Sequence, residues 1–292
     1  MPLHLRPLHP IFVAEATGVD LRAPLDEAAL GGIVAALDRY AVLVLPGQDL
    51  TDAQQIAFSE RLGILETTVK AFRPGHKARI DLHLSDVSNL DERSQVLAAD
   101  DRRRMNGLGN RLWHTDSSFK AIPARYSLLS ARAIPGAGGQ TEFADLRAAW
   151  DALDPAMQRR IEGLVAEHSL LHSRATIGFT DFAAEERERL QPVPQRLVRT
   201  HPGSGRKTLY LASHAGSIRG MALPEARLLL LDLMEHATQR RFVHSHTWRL
   251  HDLVIWDDRC TLHRARPYDM TVPRDMRRTT VSDGVSSLEQ AA

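Results

Sequence analysis

Hydrophobic positions recur along this chain with two different periods, one typical of helices and one typical of strands. Apolar residues three and four positions apart predict four amphipathic helices, at TDAQQIAFSERLG (51–63), DLRAAWDAL (145–153), PAMQRRIEGLVAEH (155–168) and LPEARLLLLDLMEHATQ (223–239). Thr51, Asp145 and Asp154 are residue types that cap the start of a helix. Pro155 suits a first helical position, and Gly63 suits a helix end.

Shorter apolar stretches rich in β-branched and aromatic residues predict strands. They are AVLVLPG (41–47), ARYSLLSARAI (124–134), TLYLAS (208–213), RFVHSHTW (241–248), DLVIWDD (252–258) and RRTTVSD (277–283). Many short strands with helices between them predict a mainly β fold with inserted helices and an antiparallel core. Strands and helices do not alternate regularly along the chain, which argues against a doubly wound parallel sheet. No Gly/Ser linker or repeat divides the chain, so we expect a single domain over residues 1–292.

The segment 91–109 is polar and highly charged, and it has no clear period. A run of arginines at 102–104 usually belongs to a solvated loop. Long loops in compact domains are often functional, so an active-site lid is the alternative.

Composition narrows the class of protein. The 292 residues carry 37 Lys+Arg and 36 Asp+Glu, a net charge of +1, which argues against a nucleic-acid binder but leaves room for a local anion pocket. The single cysteine, Cys260, excludes an internal disulfide, fits a reducing compartment and is expected to be a small buried residue. The N-terminus has no signal-peptide pattern, and the apolar stretch 228–233 is too short to span a bilayer. We therefore expect a cytoplasmic protein without a nucleic-acid or membrane partner.

The segment RLWHTDSSF (111–119) contains the one H-x-D triplet of the chain. On an extended strand, His114 and Asp116 would point to the same face. His263, in LVIWDDRCTLHRARP (253–267), is the best third ligand. Two histidines and one carboxylate form the facial triad of non-haem iron(II) oxygenases, which leaves positions open for a 2-oxo acid and O2. Taken alone, the triplet also fits a hydrogen-bonded pair in a strand.

Two further histidines resemble a metal pair. His244 and His246 share one face of a predicted strand, but they lack a nearby carboxylate at a useful spacing. A structural role is therefore the preferred interpretation.

Residues that could bind a cosubstrate flank the triad. Thr141 follows a glycine-rich turn at 136–139, and Arg274 and Arg278 follow His263 by eleven and fifteen residues. The distal carboxylate of 2-oxoglutarate needs a guanidinium fork and a hydroxyl, which arginine and threonine supply.

These motifs together resemble the taurine/2,4-dichlorophenoxyacetate dioxygenase family, whose members depend on iron(II) and 2-oxoglutarate. The resemblance rests on W-H-T-D (113–116), G-G-x-T-E-F (138–143), W-D-x-R-C-x-x-H-R (256–264), Arg274 and Arg278, and it extends from Thr17 to Arg278. It implies a double-stranded β-helix, or jelly roll. Further likeness at ARYSLLSA, TEFADLRAAWDAL, VRTHPGSGRK and EHATQRRFVHSHTW implies an aryloxyalkanoate substrate.

The resemblance assigns roles to individual residues. It implies that iron is bound by His114, Asp116 and His263. It implies that Thr141 and Arg274 hold the distal carboxylate of 2-oxoglutarate and that Arg278 faces the anionic group of the substrate. Further substrate contacts are implied for Lys70, Asn89, Ser117 and His214.

The implied reaction hydroxylates an aryloxyacetate or aryloxyalkanoate, such as 2,4-dichlorophenoxyacetate, at the carbon between the ether oxygen and the carboxylate. The product collapses to a phenol and a 2-oxo acid, and 2-oxoglutarate yields succinate and CO2. Because Asp116 is retained, we expect hydroxylation rather than halogenation. A sulfonate, an alkyl sulfate or another carboxylate remains open as substrate, as does a non-catalytic jelly roll that binds a metal or ligand. The resemblance also implies a homo-oligomer.

Overall fold

The computed structural model describes residues 3–68 and 79–290. Strands in these residues are β1 His4–Pro7, β2 Ala14–Thr17, β3 Val42–Leu45, β4 Ser85–Asp86, β5 Ala124–Ala133, β6 Thr141–Asp145, β7 Val165–His168, β8 Val193–Arg196, β9 Val198–Thr200, β10 Lys207–Leu209, β11 Ala215–Ile218, β12 Val243–His246, β13 Leu253–Asp257, β14 Thr261–Ala265 and β15 Asp275–Ser282. Helices are α1 Glu27–Tyr40, α2 Asp52–Glu60, α3 Arg102–Gly107, α4 Leu146–Asp151, α5 Pro155–Ile161, α6 Leu170–Ala175, α7 Ala184–Arg189 and α8 Leu223–Ala237. None of these helices is long and apolar enough to cross a membrane.

The largest sheet has seven strands in the order β1-β2-β3-β13-β5-β15-β4. Its pairs are antiparallel except for β2 with β3. Every residue of β13 is buried, as expected for a continuous apolar strand covered on both faces. The sheet contains strands from both ends of the chain, since β1 lies near the N-terminus and β15 near the C-terminus.

A second sheet, in the order β12-β6-β14, carries part of the functional site. Its residue Phe143 packs in one apolar cluster with Leu129, Val254, Trp256 and Met276 of the seven-stranded sheet. The two sheets therefore share a core. Smaller sheets, β11-β7-β8 and β10-β9, extend the β structure beyond it. The prediction of a sheet-rich fold with inserted helices is confirmed.

Helix starts follow the predicted capping residues. The Thr51 hydroxyl and the Gln54 side chain form a capping box at α2, and the Asp145 carboxylate accepts the first backbone N–H groups of α4. Asp154 caps α5, whose first residue is Pro155.

Two predicted segments have a different structure. The helix expected over 155–168 ends at Ile161, and Val165–His168 forms β7 instead. Gly163 favours neither a helix nor a strand. After it, the pairing of β7 with β8 and β11 outweighs the helical pattern of residues 164–168. The polar segment 91–109 is not wholly irregular, because Asp101 caps α3 and a 3-10 helix, Leu108–Arg111, follows.

Candidate active site

Backbone pairing brings the two histidines of the predicted triad together. His114 and His263 form an isolated antiparallel bridge, with N–O distances of 3.0 and 2.8 Å. Their ring centroids lie 4.2 Å apart. Since His263 belongs to β14, the second sheet fixes its position.

Asp116 lies beside the two histidines, but not on the extended strand that the sequence predicts. Only His114 lies in a bridge, and Asp116 begins a turn, so the expected extended strand over both residues is wrong. The turn is held because Thr115 donates to the backbone oxygens of Asp258 and Thr261, at 2.8 Å each. The side chains still converge: Asp116 oxygens lie 4.0 Å from His114 Nε2 and 3.7 Å from His263 Nε2.

The protonation states of these groups suit a divalent metal ion. Burial lowers the pKa of both histidines, so they are neutral near pH 7. His114 Nδ1 lies 2.8 Å from the Leu112 carbonyl, to which it donates as the N–H tautomer, and Nε2 keeps its lone pair. Burial opposes ionisation of Asp116, but Arg278 and both histidines outweigh it and hold its pKa at about 2.

A second cluster of potential ligands has a structural explanation. His201, Asp257 and Cys260 are buried close together. Arg259 donates to both Asp257 oxygens, at 2.9 and 2.6 Å, and lies 3.2 Å from His201 Nε2. The guanidinium already neutralises the carboxylate, so this cluster is an internal ion-pair network. Cys260 is fully buried, in agreement with the sequence expectation.

The prediction that the His244/His246 pair lacks a carboxylate partner is wrong for one of the two. His246 Nε2 lies 3.2 Å from Asp252 Oδ2. The loop between β12 and β13 brings Asp252 back to the strand, a contact that sequence spacing did not reveal.

A cavity opens beside the triad, and its lining includes His114, Asp116, Arg274 and Arg278. The Arg274 guanidinium is buried, and its Nη1 donates to the Val87 carbonyl at 3.3 Å. No carboxylate of the described residues pairs with it, and burial lowers its pKa. A buried unpaired guanidinium beside a cavity is a binding position for an anion.

Asn89 holds the segment that carries Arg274. Its amide nitrogen donates to the Met270 and Val272 carbonyls, at 3.1 and 2.8 Å, and its oxygen accepts from the Arg274 backbone N–H at 2.8 Å. Both amide hydrogens are therefore engaged within the protein. Asn89 lines the cavity, but its geometry suits the positioning of Arg274 better than the predicted substrate contact.

The glycine-rich turn before Thr141 approaches Arg274 closely. Gly138 and Gly139 adopt φ of 75° and 71°, and a Cβ at Gly139 would meet Arg274 Nε at 3.6 Å. Thr141 itself is buried at the start of β6, where its hydroxyl accepts from the Trp248 indole at 3.0 Å. The described lining of the cavity does not include it. Its predicted contact with 2-oxoglutarate stays a prediction.

Arg278 lies at the cavity but is paired within the site. Its Nη1 donates to Asp116 Oδ1 at 2.5 Å. The predicted contact with a substrate anion would have to share the guanidinium with this carboxylate.

The remaining predicted substrate residues differ in their surroundings. Ser117 lines the cavity and donates to Glu66 at 2.6 Å. His214 is buried in the lining, with Nδ1 2.8 Å from Ser173 Oγ and its ring 6.0 Å from that of His114. Lys70 lies outside the described residues.

Sequence reasoning missed Arg174 as a cavity residue. It lies in the short helix α6, is only 8% exposed and lines the cavity beside His114 and His214. Nothing in its local sequence, LLHSRATIG, separates it from a surface arginine.

His114, Asp116 and His263 lie at one wall of a cavity that also contains the buried Arg274 guanidinium. Two imidazoles and one carboxylate so placed could hold a metal ion as the facial triad does. Comparison with known proteins agrees. Residues 4–280 match the family described as taurine catabolism dioxygenase TauD, TfdA family. The chain belongs to this family, and the resemblance seen in the sequence is confirmed.

The similarity to relatives and to solved structures extends over almost the whole chain. It is 44% identical, over 97% of its length and 99% of the relative, to the alpha-ketoglutarate-dependent 2,4-dichlorophenoxyacetate dioxygenase of Cupriavidus pinatubonensis. It is 40% identical, over 93% and 92%, to the (S)-phenoxypropionate/alpha-ketoglutarate-dioxygenase of Sphingobium herbicidovorans. A crystal structure of AAD-2 in complex with Mn(II) and N-oxalylglycine is 51% identical, with a TM-score of 0.91 and coverage of 99% and 100%.

Proposed function

We propose that this protein is an iron(II)- and 2-oxoglutarate-dependent dioxygenase that hydroxylates an aryloxyalkanoate such as 2,4-dichlorophenoxyacetate. The observation that carries the proposal is the convergence of His114, Asp116 and His263 on one point of a cavity that also contains Arg274. Among residues 3–68 and 79–290, no carboxylate pairs with the Arg274 guanidinium. A metal site alone would fit many proteins. The added anion position fits a dicarboxylate cosubstrate.

The donor set suits iron(II). Two neutral imidazoles and one carboxylate would hold the ion at one face and leave the cavity side for exchangeable ligands. When bound, iron(II) with 2-oxoglutarate and O2 supplies the oxidising power that replaces a C–H bond by C–OH. Arg274 would fix the tail of the cosubstrate, with Thr141 as the proposed second donor. Ser127 donates to Asp116 Oδ2 at 2.8 Å and so orients this ligand.

The substrate class follows from the relatives and the cavity. Relatives that are 44% and 40% identical are named for 2,4-dichlorophenoxyacetate and (S)-phenoxypropionate. Both are small acids with an aromatic ether, and the cavity combines cationic groups with Phe119, Leu170 and Tyr268. Hydroxylation between the ether oxygen and the carboxylate would release a phenol and a 2-oxo acid. The hydroxylated carbon is the one that the carboxylate anchor turns towards the metal ligands.

The same family membership supports a jelly roll formed as a single domain. The seven-stranded sheet and the β12-β6-β14 sheet pack on a common core, and strands from both ends of the chain share the larger sheet. A homo-oligomer stays a prediction, which light scattering of the purified protein would test.

Turnover tests the proposal. Protein loaded with iron(II), 2-oxoglutarate and 2,4-dichlorophenoxyacetate in air should release 2,4-dichlorophenol and succinate in equal amounts. His114→Ala should abolish the release of both products. His244 lies outside the cavity lining, so His244→Ala should still release both. Succinate coupled to an alkyl sulfate or a sulfonate instead would redirect the substrate class. Metal binding without turnover of any acid would favour a non-catalytic binding protein.

A further inference from the structure

Asp258 is a fully buried acid beside the triad that the proposed reaction does not use. It is the first residue after β13, in the turn that leads to β14 and His263. In the motif W-D-x-R-C-x-x-H-R it occupies the third, unassigned position. The described lining of the cavity does not include it, so its role must lie in contacts within the protein.

The contacts of Asp258 fasten the turn at 115–116 to the seven-stranded sheet. Its Oδ1 accepts from the Asp116 backbone N–H at 3.0 Å and from the Trp256 indole at 3.0 Å. Its carbonyl oxygen accepts from the Thr115 hydroxyl at 2.8 Å, and its N–H donates to the Arg125 carbonyl at 2.9 Å. Asp258 therefore holds this turn through both its side chain and its backbone.

The Asp116 backbone depends on this side chain for an acceptor. Asp116 is buried and lies in a turn rather than a strand, so the Asp258 carboxyl accepts its N–H in place of a strand partner. The next residue, Ser117, has φ of 53°, a conformation that residues other than glycine rarely adopt. A buried N–H without an acceptor is unfavourable, so loss of Asp258 should release the turn.

Trp256 extends the same link to a second metal ligand. Its ring is buried, and its centroid lies 4.7 Å from that of His263 and 5.4 Å from that of Phe143. A single oxygen of Asp258 thus connects the backbone of one ligand with the aromatic ring that packs against another.

The acceptor role does not depend on the charge of Asp258. Burial and the neighbouring Asp116 carboxylate raise the pKa of Asp258 well above its usual range. A carboxylic acid protonated on Oδ2 still keeps a carbonyl oxygen at Oδ1, and so does an amide. Asparagine should therefore replace this residue, whereas an apolar side chain should not.

We propose that Asp258 is a positioning residue of the metal site. By holding the Asp116 backbone and the Trp256 indole on one oxygen, it fixes the direction in which the Asp116 carboxylate faces the two histidines. The inference rests on the proposed function and deepens it. Loss of a group that orients a metal ligand typically weakens metal binding about 10- to 100-fold.

Metal affinity measured without turnover tests this role. The Kd for Mn(II) is determined by calorimetry in the wild type, Asp258→Leu and Asp258→Asn, with no cosubstrate present. Leucine is close in volume and has no acceptor, so Asp258→Leu should weaken Mn(II) binding about 10- to 100-fold. Asp258→Asn keeps the oxygen and should stay within about 3-fold of the wild type.

A matched control separates positioning from a general loss of stability. Gln48 is buried outside the cavity lining, and its Oε1 accepts from the Leu21 backbone N–H at 2.9 Å. Gln48→Leu also leaves a buried N–H without its acceptor, so urea unfolding should show a lower midpoint, but its Kd for Mn(II) should equal that of the wild type. If Asp258→Leu does not fold, Trp256→Phe decides in its place. That variant keeps a ring against His263, loses the indole N–H that holds Asp258, and should weaken Mn(II) binding about 10-fold.

Three results would overturn the assignment and leave the proposed function intact. They are wild-type Mn(II) affinity in folded Asp258→Leu, equal weakening in the leucine and asparagine variants, and equal weakening in Gln48→Leu. Wild-type affinity in Trp256→Phe would do so where Asp258→Leu does not fold. If the wild-type protein bound no Mn(II), the proposed function would fail and the inference with it.

Discussion

Replacing Arg274 by methionine tests the cosubstrate position most directly. The side chain is 5% exposed, and its guanidinium pairs with no carboxylate of the described residues. Methionine is close in volume and removes an uncompensated buried charge, so the ligand-free variant should be at least as stable as the wild type. Binding of a dicarboxylate should instead weaken, because hydrogen bonds to charged groups contribute about 1.5–3 kcal/mol.

The size of the effect can be worked out for a thermal-shift assay. At a ligand concentration 100 times Kd, the wild type gains about 2.7 kcal/mol of stability. A variant with Kd raised roughly 100-fold would gain only about 0.4 kcal/mol at the same concentration. Melting curves with Mn(II), with and without N-oxalylglycine, measure this difference. The KM for 2-oxoglutarate should rise about 10- to 100-fold in parallel.

The same assay can refute the role of Arg274 in cosubstrate binding. Arg103→Met, a paired arginine of the same cavity, serves as the control and should show the wild-type ligand shift. If Arg274→Met showed that shift too, Arg274 would not bind the cosubstrate.

Four further predictions follow from single residues. His114→Ala should lose tight Mn(II) or Fe(II) binding in equilibrium dialysis, and retained stoichiometric binding would contradict the triad. Asn89→Ala should raise the KM for 2-oxoglutarate about 10-fold by releasing the segment that carries Arg274, with kcat changed less; an unchanged KM would exclude the positioning role. Gly109→Ala should lower the free energy of unfolding by about 1–3 kcal/mol, because its Cβ would lie 2.2 Å from Arg174 Nη1, and an unchanged midpoint of urea unfolding would count against that packing. Burial lowers the pKa of His168 to about 3 in the folded protein, below its unfolded value, so the stability it contributes is present above pH 6.5 and is lost as pH falls. From pH 6.5 to 5 the loss should be about 2 kcal/mol in urea unfolding, and His168→Phe should reduce it; an identical pH slope in both proteins would refute this.

The structure follows the sequence most closely where short-range rules apply. Thr51, Asp145 and Asp154 begin helices because their side chains accept the first backbone N–H groups, which depends on a few neighbouring residues. The strand at Val42–Leu45 is buried along its length, as its apolar sequence predicts. The stretch 155–168 was predicted less well, because pairing with distant strands outweighed the helical period after Ile161.

The lining of the cavity is built from contacts between residues that are far apart in the chain. Asn89 and Arg274 meet across 185 positions, and Arg174 reaches Asn106 across 68. Neither contact leaves a local pattern, so the sequence alone reveals neither the positioning of Arg274 by Asn89 nor the place of Arg174 in the cavity lining. Asp252 beside His246 was missed for the same reason.

The sequence by itself determined the residue types of the site, the helix starts, the apolar strands and, through its motifs, the family. Those features reside in residue identity and in local spacing, which chain order preserves. Tertiary structure alone decided which charges remain unpaired. It placed Arg278 on Asp116, enclosed Arg174 against Gly109 and left Arg274 without a carboxylate partner in the described part of the chain. The physical reason is that the free energy of a buried charge depends on every group packed around it, and those groups come from distant parts of the chain.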